Sequence, residues 1–114
     1  MKRGGQLMAL AGLSGALAVA AGAFGAHGAE GKAAEWLRTG ATYQLVHAGA
    51  AVAVAGVPRG RGAALLMLLG ALVFSGTLYA MAFGAPRWLG AITPLGGVGM
   101  IAGWLLLALV SLRR

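Results

Sequence analysis

Cysteine is absent from this 114-residue chain, and acid nearly so: two Asp or Glu stand against nine Lys or Arg. Without cysteine there is no disulfide, no thiolate metal site and no cysteine nucleophile. Both acids, Glu30 and Glu35, fall in one short polar stretch, residues 30–38. No carboxylate is therefore placed to orient a histidine inside an apolar segment, and a Ser–His–Asp arrangement lacks its third member. Charge of either sign is scarce at 10%, against about 25% in a typical soluble domain.

What fills the chain instead is apolar: 60% of the residues are hydrophobic. Four stretches, residues 4–29, 39–58, 62–86 and 88–112, contain no Lys, Arg, Asp or Glu. Each supplies the roughly 20 residues a helix needs to cross about 30 Å of hydrocarbon. A water-soluble globule of this size has too little interior to hide so much apolar side chain. In lipid every backbone polar group must be satisfied within the segment or in a closed barrel. The runs are continuous rather than alternating and rich in Ala, Leu and Gly, which selects helices. The expected fold is all-α: a single polytopic membrane domain over residues 1–114, with four transmembrane helices in an up-down-up-down bundle. The expected helices cover about 6–26, 33–57, 63–83 and 93–112.

The net charge of +7 invites a nucleic-acid reading. The basic residues are scattered at segment ends and form no interleaved patch, so no nucleic-acid partner is expected. Anionic lipid headgroups suit that placement better. In an up-down-up-down chain Lys2, Arg3, Arg59, Arg61, Arg113 and Arg114 share one side. Lys32, Arg38 and Arg87 share the other with both acids. The excess of basic residues at the first end places the N- and C-termini of this multi-pass chain in the cytoplasm. Trp36 and Trp88 then lie at the outer interface, where amphipathic rings are at home. A competing reading takes Met1-Lys2-Arg3 and the small residues Ala21-Gly22-Ala23 as a secretory signal peptide. The apolar run extends past a normal signal core, which favours a retained helix.

Segment by segment, small residues crowd the first helix, at Gly12, Gly15, Ala16, Ala18, Gly22, Gly25 and Ala26, and small residues let helices approach closely in lipid. Glycines at 22, 25, 28 and 31 suggest that the end of this helix is loosened. In the second helix Trp36, Gly40, Tyr43 and His47 fall on one stripe, with Gln44 one position round. Gly56, Pro58 and the Arg59-Gly60-Arg61 turn end it. Ser75 and Tyr79 are i,i+4 neighbours on the third helix, which Gly84-Ala85-Pro86 breaks. Thr93 suits a helix cap before Pro94, and Gly99 and Gly103 form a GxxxG pair.

Depth follows from a helix rise of about 1.5 Å per residue. From the inner boundary His47 comes out near about 16 Å, Gln44 and Ser75 near about 21 Å, Tyr79 near about 27 Å and His27 near about 30 Å. Thr93 lies at the level of His27. The inner half is almost purely apolar, and His27, Tyr43, Gln44, His47, Ser75, Tyr79 and Thr93 form a candidate cluster in the middle and outer half. Its bland reading is helix cross-linking, since such side chains hydrogen-bond between membrane helices at about 0.6 kcal/mol per pair. Its sharper reading is a shallow site for a small lipophilic ligand such as a lipid or quinone. His47 carries that reading, because intramembrane ionisable residues are functional candidates by default. His27 and His47 differ in depth by about 14 Å, which argues against a shared metal or haem. No cofactor and no enzymatic activity are expected.

The segments Gly22-Ala23-Phe24-Gly25-Ala26-His27-Gly28, Trp36, Tyr43-Gln44 with His47-Ala48, Phe74-Ser75-Gly76 with Leu78-Tyr79, and Ile92-Thr93-Pro94-Leu95-Gly96-Gly97 with Gly103-Trp104 run nearly the length of the chain. Together they resemble the YgdD-like family of small integral membrane proteins. The resemblance implies four transmembrane helices in the bacterial inner membrane and a biochemical role not yet assigned. It adds weight to Gly25, His27, Tyr43, Gln44, His47, Ser75, Tyr79, Thr93, Pro94 and Gly96 as a unit. One departure is a short first loop, residues 29–34. The expected role is a non-enzymatic scaffold or accessory subunit. Membrane lipids and a homo-oligomer or larger membrane complex are its expected partners.

Overall fold

The computed structural model describes residues 3–113. Lys2 and Arg114, which enter the charge count above, lie outside them. Helix α1 runs Arg3–His27, α2 Gly31–Ala55, α3 Arg61–Ala82 and α4 Thr93–Leu112, with a short 3₁₀ helix Arg87–Ala91 before α4. The expected helices are present within a few residues. The 3₁₀ turn is not among the expected elements; Pro86 fixes its entry and the tight i→i+3 bonding reaches Ile92, whose N–H donates to Leu89 O at 2.9 Å.

The turns follow from local chemistry. Gly31 opens α2 at φ +60°, a left-handed conformation that glycine adopts without steric cost. At the other end Gly60 N–H donates to Val57 O at 2.8 Å, closing a tight turn in which Arg59 takes φ +63°. α1 is not loosened at Gly22 and Gly25. It continues through both to His27, because the missing side chains let α2 close in. A Cβ on Gly22 would lie 3.3 Å from Ala41 Cβ, and one on Gly25 would lie 3.0 Å from Leu37 Cβ.

Three antiparallel interfaces, α1–α2, α2–α3 and α3–α4, carry most of the packing. Gly15 meets Ala48 while Gly22 meets Ala41, and Gly62 lies against Leu106 while Thr77 meets Thr93. The chain therefore runs up-down-up-down. The α3–α4 seam is backbone on backbone. A Cβ on Gly70 would fall 2.6 Å from Met100 N, and one on Gly96 would fall 2.6 Å from Gly70 O. Gly99 and Gly103, the expected GxxxG pair, face Gly70 and Met67 on the same seam. Without a hydrophobic drive between helices in lipid, such close approach supplies the dispersion contact that holds them together.

The distribution of side chains is inverted relative to a soluble protein. Leu13, Leu95, Leu105 and Trp88 are exposed, whereas Gln44, His47, Ser75 and Thr93 are buried. The purely apolar part of the interior lies toward the α2–α3 turn, built from Leu7, Ala11, Ala51, Val54, Ala64 and Met67. Three helical segments, Gly4–His27, Arg61–Ala82 and Arg87–Leu112, are long and apolar enough to cross a membrane. α2, the fourth expected span, is not among them. It is as long as α1 at 25 residues, but its middle carries Tyr43, Gln44 and His47. Gln44 and His47 are turned inward, and the outward positions near them include Leu45, Val46 and Val52 beside Thr42 and Tyr43. α2 is thus less apolar in composition than on the surface it shows to lipid.

Candidate functional site

Gln44 is the junction of the buried polar residues. It sits on α2 between α1 and α3, and none of its surface is exposed. Its Nε2 donates to Ser14 Oγ on α1 at 3.1 Å, and its Oε1 accepts from Tyr79 OH on α3 at 2.7 Å. One amide thereby ties three helices together. One turn away, Ser75 Oγ donates to the backbone oxygen of Gly40 at 2.7 Å. Gly40 is small for a second reason: a Cβ there would run into the Tyr79 ring, 2.6 Å from Cε1. Ser75 and Tyr79 share the face of α3 expected from their spacing, and both turn toward α2.

His47 lies on the other side of the α2–α3 pair. Trp104 Nε1–H on α4 donates to its Nε2 at 2.9 Å, and its Nδ1 lies 2.7 Å from Tyr43 O. A carbonyl oxygen only accepts, so Nδ1 carries the proton and Nε2 is the bare acceptor. The network assigns a neutral, Nδ1-protonated ring. Tyr43 and Trp104 flank it, with ring centroids 6.4 Å and 5.8 Å away, and Tyr43 stacks obliquely on Phe74 at 4.9 Å. Tyr43, His47, Phe74, Gly97, Met100 and Trp104 line a lateral groove of about 360 Å³.

Thr93 is not a helix cap. Its Oγ1 lies 2.6 Å from Thr77 Oγ1 on α3 and donates to Leu89 O at 3.3 Å, and the cap position is Ile92. The hydroxyl closes the outer end of the α3–α4 seam. His27 does not join the cluster: it is exposed in the last turn of α1. Since Ala48 packs at the level of Gly15, His27 and His47 are about 17 Å apart along the bundle, too far to share an ion. Among the described residues no group of three or more His, Cys, Asp or Glu gathers.

The seven expected residues therefore divide. Gln44, Tyr79 and Ser75 form one network, His47 and Tyr43 a second, Thr93 a third, and His27 stands alone. Ser14 and Trp104 are the partners missing from the expected set. Ser14 carries a signal, as the lone hydroxyl in the middle of an Ala/Gly/Leu helix. Trp104 carries one as the only indole far from a segment end. Among the described residues, no buried side-chain nitrogen or oxygen lacks a hydrogen-bond partner.

Helices long and apolar enough to span a bilayer, antiparallel packing on small residues and an inward polar network define an all-α integral membrane bundle. The family described as "Protein of unknown function (DUF423)" matches residues 21–97, and the chain belongs to it. A UPF0382 membrane protein of Haemophilus influenzae is 44% identical over 87 residues, covering 72% of this chain and 70% of that protein. The UPF0382 membrane protein SERP0230 of Staphylococcus epidermidis is 42% identical over 78 residues, 63% of each chain. The UPF0382 inner membrane protein YgdD of Escherichia coli is 35% identical over 84 residues, 68% of this chain and 64% of that one. The chain thus spans slightly less than two thirds of the last two relatives. No solved structure matches it.

Proposed function

We propose that this chain is a non-enzymatic membrane component, a scaffold or accessory subunit that works by association within the bilayer. The observation that carries this reading is the closure of the buried polar network. Ser75 gives its hydroxyl proton to a backbone carbonyl, Gln44 is held from both sides, and His47 has both ring nitrogens committed. Groups so engaged fix helix register and leave little acid–base machinery. Glycines not used inside the bundle support association: a Cβ on Gly12, Gly49 or Gly76 would meet nothing within 4 Å. All four helices cross the inner membrane in this reading, α2 included, with both termini on the basic, cytoplasmic side. Mass measurement of the protein released gently from membranes should show a species heavier than one chain that is lost in Gly49→Leu. A clean monomer in both forms overturns the proposal.

A second reading, a site for a small lipophilic ligand such as a quinone or lipid, is favoured by the groove beside His47. Its volume of about 360 Å³ is within the usual range for ligand pockets, about 300–1,000 Å³. Tyr43 and Trp104 line it and are exposed. A ligand retained by the native chain and lost in His47→Ala supports this reading, and two empty forms refute it.

A further inference from the structure

The two ends of the bundle differ in charge. Arg59 and Arg61 lie in and after the α2–α3 turn, beside the start of α1 at Arg3 and the end of α4 near Arg113. Both Glu residues of the chain, Glu30 and Glu35, stand at the opposite end. A lateral groove of about 190 Å³ opens between α1 and α3, where packing is sparser than between sequence neighbours, and its lining residues nearest the basic end are Leu10 and Leu68. Leu10, Leu13 and Leu17 form one wall and Leu69 and Leu72 the other, with the Gln44–Ser14 pair at its floor. Leu13, Leu69 and Leu72 are exposed, so the groove opens sideways to lipid.

The register links groove and charge. Positions 61, 65, 68 and 72 fall on one face of α3, so Arg61 stands below the leucine wall, about 10 Å from Leu68. From there to Leu72 is about 6 Å more, and half of a hydrocarbon core is about 15 Å. The α3 lining thus spans about 6 Å, and its top lies about one leaflet above Arg61. The groove is apolar along its length, and its floor amide is already bonded within the protein. No charged residue lines it, and the basic end of the bundle lies about 10 Å below Leu68.

We propose that this groove seats one acyl chain of an anionic phospholipid, with the headgroup phosphate at Arg59 and Arg61. Leucine walls match the methylenes, and a headgroup of net negative charge complements the basic end as a neutral one does not. Arginine matches phosphate oxygens with paired donors.

Native mass spectrometry on protein reconstituted with equimolar phosphatidylglycerol and phosphatidylcholine tests this. One retained phosphatidylglycerol per chain is expected. Arg59→Gln, at an exposed turn position, should lower that retention by about fivefold, the worth of one basic residue near an anionic surface. Leu69→Trp, which fills the groove without touching charge, should abolish the single adduct. Equal retention of the two lipids overturns the proposal. So does an adduct that survives Leu69→Trp, which would show diffuse charge attraction rather than a seat.

Discussion

Trp104 on α4 donates its indole N–H to Nε2 of His47 on α2 at 2.9 Å, reaching past α3, on which α4 is mainly packed. The bond ties the fourth helix to the second and sets the state of the histidine. An imidazole that accepts at Nε2 and faces a carbonyl at Nδ1 has one arrangement of its proton.

That arrangement is directly measurable. Nitrogen NMR of ¹⁵N-histidine protein should show His47 neutral with the proton on Nδ1, while the exposed His27 behaves as a solvent-accessible ring. Trp104→Phe should alter the Nε2 signal of His47 and leave that of His27 unchanged. A His47 ring protonated on Nε2 would contradict the network.

Gln44 should be the costliest polar residue to lose. Gln44→Leu removes two interhelical bonds and leaves Tyr79 OH and Ser14 Oγ to find other partners, a loss of about 1–2 kcal/mol. A double-mutant cycle with Tyr79→Phe, read by steric-trap unfolding in bicelles, should return a coupling of about 0.6 kcal/mol. Zero coupling would mean that the bond does not form in lipid.

Glycine tolerance should separate the seam from the lipid face. Gly96→Ala places a methyl 2.6 Å from Gly70 O and against the Phe74 backbone, so α4 must move away, at about 1–3 kcal/mol. Gly4→Ala, outside the seam, meets nothing within 4 Å and should stay within about 0.5 kcal/mol of the native chain. Unfolding midpoints in mild detergent give the comparison directly.

Much of this was legible from residue order. The uncharged runs place α1, α3 and α4 and the inner part of α2, whose first two turns carry Lys32, Glu35 and Arg38, since a chain in lipid has few alternatives to helices. Rise per residue puts Gln44 and Ser75 at one level and Tyr79 about 6 Å further out, and the long Tyr79 side chain reaches back to Gln44. Rotation was harder. Gly40, Gln44, His47 and Ala51 make the buried stripe of α2, while Tyr43 sits at its lipid edge. Which edge faces lipid depends on the angle that α1 and α3 subtend around α2, a long-range property absent from local spacing. Thr93 shows the same limit. A threonine before a proline has the chemistry of a cap, but a neighbouring helix offering Thr77 took its hydroxyl instead.

The central claim is that α2, despite Gln44 and His47 in its middle, crosses the bilayer between α1 and α3. The absence of cysteine makes a clean test, since each introduced thiol is unique. Glu35→Cys and Arg59→Cys lie near opposite ends of α2. With a membrane-impermeant maleimide on intact cells, only the Glu35→Cys variant should label, and both variants should label after lysis. Labelling of both in intact cells, or of neither, would place the two ends of α2 on one side and contradict the account.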